Sequence, residues 1–167
     1  MLIGLISDTH SYLDDKVFNY FKHCDEIWHA GDIGDYSLIK QLSDFKPTRA
    51  IYGNIDGTEI RNHYDEDLFF NCEGLNVWMT HIAGYPPRYT PKVLKKLKDK
   101  PTPDIFVCGH SHILRVMHDK QFEKPVLYLN SGAAGKHGFH QIRTLLRFEI
   151  NDKKISNMQV IELGKRI

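Results

Sequence analysis

The sequence contains no apolar run near the roughly 18 to 20 residues that a membrane-crossing helix requires. Met1 leads straight into a strand-like segment with no cationic leader ahead of it, and together these absences predict a cytoplasmic protein with no membrane partner. Cysteine is scarce. Cys24, Cys72 and Cys108 are odd in number and lack C-x-x-C spacing, which argues against a disulfide framework and a thiolate zinc site. An excess of one charge is also missing: 22 basic and 21 acidic residues leave a net charge of +1. Bulk electrostatics therefore give no case for an obligatory nucleic-acid backbone or anionic membrane. There is no internal repeat or low-complexity tract. With 41% hydrophobic and 26% charged residues in 167, the composition is that of a globular chain, and a single domain over 1–167 is expected.

What is present is a set of histidine, aspartate and asparagine clusters in a particular order. Asp8-Thr9-His10, Gly31-Asp32, Gly53-Asn54, Thr80-His81 and Gly109-His110-Ser111-His112 follow one another along the chain. Four of them come directly after apolar runs (Leu2 to Ile6, Ala50 to Tyr52, Asn76 to Met79, Ile105 to Cys108), and the fifth follows Ile27-Trp28. Such side chains would converge at strand ends. Aspartate offers hard anionic oxygen, imidazole a borderline nitrogen and asparagine a neutral amide oxygen, a mixture suited to divalent first-row ions. One carboxylate can bridge two cations, and a cation pair about 3.5 to 4 Å apart can clamp the attacking and leaving oxygens of a phosphoryl displacement. The glycines before Asp32, Asn54 and His110 would let the backbone bend.

Between these clusters the pattern alternates strand and helix, then turns to strand. Leu13 to Phe21 and Tyr36 to Phe45 read as amphipathic helices, with Asp14 and Asp15 as caps for the first and Pro47 ending the second. Asp25 to His29 and Ala50 to Tyr52 read as strands. Leu68 to Asn71 and Leu75 to Met79 form a hairpin over Glu73-Gly74, and Pro91 to Asp99 is a lysine-rich helix. Ile105 to Cys108, Leu114 to His118, Val126 to Asn130, Thr144 to Ile150 and Ile155 to Leu163 are strands, the last two joined at Asn151-Asp152. Early parallel and late antiparallel pairing predict a mixed α/β fold of two mixed sheets flanked by helices.

Each remaining polar feature has a bland reading beside the functional one. His23, His63 and His118 read as solvated or helix-end residues, and His29 as packed more than as a partner of the clusters. Asn130 to Gly135 is either a loop lining a pocket or a tight turn. His137 and His140 could enter the pocket as proton donors or phosphate contacts. Tyr85, Arg88 and Tyr89 could touch a substrate or lie on the surface, and Lys92 to Lys100 reads as a solvated helix face.

The five clusters, in this order, resemble the Asp-x-His, Gly-Asp, Gly-Asn-x-Asp, His and Gly-His-x-His motifs of calcineurin-like metallophosphoesterases. The resemblance runs from Met1 to about Ile150 and is to the small bacterial and archaeal phosphodiesterase group, which includes Vps29. It implies a four-layer sandwich and two divalent ions, Mn²⁺ foremost, with Zn²⁺, Fe, Ni²⁺ or Co²⁺ as other choices. Asp8, His10, Asp32 and His112 would hold one ion, and Asp32, Asn54, His81 and His110 the other, with Asp32 as the bridge. The implied reaction is hydrolysis of a small phosphodiester or nucleotide-like substrate by water acidified between the metals, with no covalent intermediate. Asp56 would orient a ligand. A homo-oligomer, dimer or tetramer, is also implied. Two positions depart from the family: Ile55 stands where many members carry a proton-donating histidine, and Ala83 stands where relatives read His-Gly-His. The alternative functions are a non-catalytic scaffold of the Vps29 type and a binuclear site acting on an ester or sulfate.

Overall fold

The computed structural model describes residues 1–167. Its elements, in chain order, are β1 Leu2–Ile6, α1 Lys16–Phe21, β2 Glu26–His29, α2 Tyr36–Phe45, β3 Thr48–Ala50, α3 Thr58–Arg61, β4 Asp67–Cys72 and β5 Leu75–Thr80. There follow β6 Gly84–Tyr85, β7 Arg88–Tyr89, α4 Pro91–Asp99, β8 Ile105–Cys108, β9 Leu114–Asp119, β10 Val126–Ser131, β11 Ile142–Asn151 and β12 Lys154–Lys165. Two five-stranded sheets carry the fold, in the orders β12-β11-β1-β2-β3 and β4-β5-β8-β10-β9. In the first, β1, β2 and β3 are parallel and β11 and β12 antiparallel. In the second, β5, β8 and β10 are parallel and the edge strands β4 and β9 antiparallel. The expected mixed α/β architecture is the one observed.

Strand after strand divides its side chains between two cores, because both faces of each central strand are covered. Ile3 and Leu5 of β1, Val77 and Met79 of β5, Ile105 and Val107 of β8, and Leu127 and Leu129 of β10 fill the space between the sheets. The alternate residues face outward onto helices. Ile6 and Ile27 meet Val17 and Phe21 of α1 and Leu38, Ile39 and Leu42 of α2. Trp78, Phe106 and Tyr128 meet Val93 of α4. The result is a helix–sheet–sheet–helix sandwich of four layers. Gly4 belongs to this packing: a Cβ there would lie 2.8 Å from the Phe21 ring, so the helix can sit close on β1 only over glycine.

Several boundaries differ from the sequence expectation. Helix α1 starts at Lys16 and not near Leu13, because the Lys16 amide donates to Asp14 Oδ1 (3.0 Å) and Asp14 is fixed by Arg143 Nη1 (2.8 Å). Strand β3 ends at Ala50, since the Tyr52 amide turns away to Asp65 O (3.0 Å). Helix α3 is four residues long, too short to leave a helical period in the sequence. The β11–β12 turn centres on Asp152 and Lys153, at φ 46° and 61°, one residue beyond the expected pair. The Glu73-Gly74 turn stands as expected, with φ 48° and 81°.

Candidate metal centre

The parallel strands β1, β2 and β3 of one sheet and β5 and β8 of the other end on the same side of the molecule, where their following loops meet. This is the carboxyl end of parallel strands, where α/β proteins form their sites. Asp8 and His10 follow β1, Asp32 follows β2, Asn54 follows β3, His81 follows β5, and His110 and His112 follow β8. Asp8, His10, Asp32, His110 and His112 all adopt positive φ, between 46° and 67°. Non-glycine residues reach this region at a cost and concentrate there at functional sites. Hydrogen bonds between the loops hold them: the amides of Asp8 and His10 donate to Gly31 O and Asp32 O (3.0 Å each), and that of Gly109 to His81 O (3.1 Å).

The donor atoms form two groups that share Asp32. Those of Asp8, His10, Asp32 and His112 lie within 4.8 Å of one another, as do those of Asp32, His81 and His110. The two oxygens of Asp32 face opposite ways: Oδ2 is 3.6 Å from His10 Nε2, and Oδ1 is 3.1 Å from His81 Nε2. His112 Nε2 lies 3.4 Å from Asp8 Oδ1 and 3.3 Å from His10 Nε2. Two atoms each about 2.1 Å from one ion are about 3.0 Å apart at a right angle and about 3.4 Å apart at the tetrahedral angle. The donors are therefore spaced for a cation. Asn54, with its exposed side chain, lines the wall common to the clefts on either side of this constellation.

His81 provides a separate test of fit. Its Nδ1 lies 2.8 Å from the carbonyl oxygen of Ala30 and donates to it, which leaves Nε2 as the free lone pair. That Nε2 is buried, and what faces it is Asp32 Oδ1 at 3.1 Å. A buried lone pair beside two carboxylates suits a cation. Without one, burial opposes protonation of His81, but Asp32 and Asp8 outweigh it and raise the imidazole pKa. Burial likewise works to raise the Asp32 pKa, yet His81, the Ile55 amide and His10 hold it below the usual carboxylate range. Burial lowers the pKa of His10 and of His110.

Buried polar groups fasten the donors from behind. Ser7 Oγ donates to Asp8 Oδ2 (2.6 Å), and the His110 amide donates to Asp8 Oδ1 (3.1 Å), tying the two sheets together at the site. Asp56 accepts from the amides of Gly53 (2.7 Å), Gly34 (2.7 Å) and Ile33 (3.1 Å). It joins the Asp32 and Asn54 loops through backbone amides and hydrogen-bonds to no donor side chain. His29, read from sequence as a packed residue, is fully buried and also hydrogen-bonded: Nδ1 accepts from Gly31 N (3.2 Å), and Nε2 lies 3.0 Å from Thr9 Oγ1. Of the three glycines, only Gly31 bends the chain at positive φ (92°). Gly53 and Gly109 serve instead for close approach, because a Cβ would overlap Asp32 Oδ1 at one and Ser7 Oγ at the other.

Neither reading of Asn130 to Gly135 matches its position. The segment is a strap: the Ala134 and Gly135 amides donate to Ser7 O and Asp8 O (3.0 Å each), and Asn130 Nδ2 donates to Gly109 O (2.9 Å). His137 does line the cleft, its ring centroid 4.9 Å from that of His10. His140 packs on His112 and contacts Gly135 O. Tyr89 is buried and donates to Asp119, while exposed Tyr85 stacks with Arg115. Ser7, the Ala30 carbonyl and Arg61 escaped the sequence reading, as no spacing or motif singles them out.

A family model described as the calcineurin-like phosphoesterase superfamily domain matches residues 1–153. The chain belongs to the calcineurin-like phosphoesterase superfamily. A probable metallophosphoesterase of Methanothermobacter thermautotrophicus is 30% identical over 136 residues, covering 75% of this chain and 76% of the relative. An archaeal phosphodiesterase is similar in structure (TM-score 0.76, 22% identity, 98% of this chain and 100% of that one). So is Vps29 of Entamoeba histolytica complexed with zinc (TM-score 0.72, 16% identity, 100% of each chain). Membership supports phosphoester hydrolysis with divalent metals as the chemistry of this phosphoesterase. No helix is long and apolar enough to cross a membrane.

Proposed function

We propose that residues 1–167 act as one domain, a binuclear metal-dependent phosphodiesterase for small phosphodiester or nucleotide-like substrates, with Mn²⁺ as its working ion. The observation that carries this reading is Asp32, whose two oxygens face two different donor groups. Asp8, His10, Asp32 and His112 would hold one ion, and Asp32, Asn54, His81 and His110 the other. When bound, the ions supply Lewis acidity to the phosphoryl oxygens and lower the pKa of water. The protein's own residues fix the geometry. The Ala30 carbonyl orients His81, Ser7 and the His110 amide orient Asp8, and Asp56 holds two loops in register.

Ile55 narrows the reaction. It is exposed on the cleft wall beside Asn54 and cannot donate a proton to a leaving group. General acid catalysis is typically worth about 10²- to 10⁴-fold, so diesters with good leaving groups should be favoured. The scaffold reading rests on likeness to Vps29, and the two donor groups that share Asp32 favour an enzyme over it.

The test is Mn²⁺-supported turnover of bis(p-nitrophenyl) phosphate against p-nitrophenyl phosphate. We expect diester preference, with Asp8→Asn and His81→Ala each losing at least about 10²-fold in kcat/KM. Parent-like rates in both variants would overturn the assignment.

A further inference from the structure

The two clefts flanking the donor set meet at Asn54 and differ in chemistry. The one beside His81, about 300 Å³, is walled by Thr80, Thr90, Arg61, Glu66 and Lys92. Arg61 is held there by neutral partners. Its Nε donates to Asp56 O (2.6 Å), its Nη2 donates to Gly53 O (3.2 Å) and Asn54 O (3.3 Å), and its guanidinium lies 4.5 Å over the Tyr52 ring. No carboxylate oxygen stands within 4.0 Å of it, whereas Lys92 pairs with Glu66 at 2.5 Å. The guanidinium is thus fixed in orientation, uncompensated in charge and left with Nη1 unengaged. Arginine in this state suits a phosphate, since little freedom remains to be lost on binding.

On the far side of Asn54 the cleft, about 250 Å³, has no lysine or arginine. Two apolar side chains stand beside the donors in its lining, Ile55 at 45% exposed and Phe139 fully exposed. A substrate spanning both clefts would meet a cation at one end and apolar side chains at the other.

We propose that Arg61, assisted by Lys92, forms an anion subsite beside the metal centre for a second phosphate on one arm of the substrate, the apolar arm lying toward Ile55 and Phe139. The proposal deepens the phosphodiesterase reading and rests on it for the direction of the two arms. Its test is a binding measurement, independent of turnover. Adenosine 3′,5′-bisphosphate and AMP are titrated calorimetrically into Mn²⁺-loaded wild type, Arg61→Gln, Lys92→Gln and Lys154→Gln, the last removing a charge outside the cleft.

Wild type should bind the bisphosphate at least about tenfold more tightly than AMP, as one charge-assisted contact predicts. That ratio should fall to about threefold or less in Arg61→Gln, decrease in Lys92→Gln and persist in Lys154→Gln. Because Arg61 also bonds the Asn54 loop, the ratio and not the absolute affinity is the readout: loop disorder would weaken both nucleotides together. Equal affinities in wild type, or an unchanged ratio in both Arg61→Gln and Lys92→Gln, would overturn the subsite. A Mn²⁺-loaded protein with the binding preference but without diester turnover would instead retire the phosphodiesterase reading and leave the subsite standing.

Discussion

His10 Nε2 and His112 Nε2, on loops 102 residues apart in sequence, face each other at 3.3 Å. If both carry lone pairs they repel; a cation between them, completed by Asp8 and Asp32, turns that repulsion into binding. Mn²⁺ should therefore stabilise the protein. At one hundred times Kd the linkage is about 2.7 kcal/mol, or roughly 5 to 11 °C in Tm for a chain of this size. Scanning calorimetry with Mn²⁺ and with EDTA checks this. His112→Ala should lose the share of the shift that this one ion supplies, yet unfold within about 2 °C of wild type when metal-free, because the facing nitrogen is gone. A much less stable metal-free variant would show that His112 is structural.

Gly53 and Gly57 flank the Asn54-Ile55-Asp56 segment and predict opposite outcomes. A Cβ on Gly53 would overlap the Asp32 side chain and backbone, while one on Gly57 meets nothing within 4 Å. Gly53→Ala should cost about 1 to 3 kcal/mol and weaken Mn²⁺ binding by displacing Asp32. Gly57→Ala should do neither. Urea unfolding and metal titration of the pair test the close approach.

Burial of His29 predicts an acid limit on stability. Burial pushes its pKa down from 6.5 to about 4, against the nearby Asp56 and Asp8 charges. In the fold it is neutral, accepting from the Gly31 amide, which a protonated ring could not do. The unfolded chain takes up this proton near pH 6.5 and the folded chain only near pH 4. Stability is thus present above pH 6.5 and declines as pH falls toward 4, by on the order of 3 kcal/mol for this group alone. His10 and His110, with pKa lowered, act in the same sense; His81, raised, acts in the opposite one. Metal-free Tm measured from pH 7.5 to 4.5 should fall, and more gently in His29→Gln. A flat profile in wild type would contradict this.

His81 also couples metal to pH. Asp32 and Asp8 raise its imidazole pKa above the ordinary value against burial, so a cation competes with a proton for Nε2. Mn²⁺ titrated calorimetrically in two buffers of different ionisation enthalpy should release protons, with affinity rising from pH 6 to pH 8. His81→Ala should release fewer.

The sandwich was legible where periodicity was strong. The two-faced strands Ile105–Cys108 and Val126–Ser131 and the helices Tyr36–Phe45 and Pro91–Asp99 could be read because burial on defined faces constrains their side chains. Thr58–Arg61 could not, since four residues carry no period. The donor clusters were legible because their chemistry is restrictive. Their supports were not: the Ala30 carbonyl that orients His81 is backbone, and Ser7 gains its role only through contact with Asp8. Gly53 and Gly109 look like turn glycines in sequence, but the neighbours that require them are far along the chain. His29 reads as packing in the sequence because its partners, Thr9 and Gly31, become partners only once β1 and β2 lie side by side.

The most direct test of the two-cation centre is the Mn²⁺ stoichiometry of purified protein, counted by equilibrium dialysis and elemental analysis. Wild type should hold two ions per chain at saturation. Asp32→Asn, which weakens the shared ligand, should lose both at the same free Mn²⁺, while His112→Ala and His81→Ala should each retain one. A single ion in wild type, or two retained in Asp32→Asn, would contradict the account.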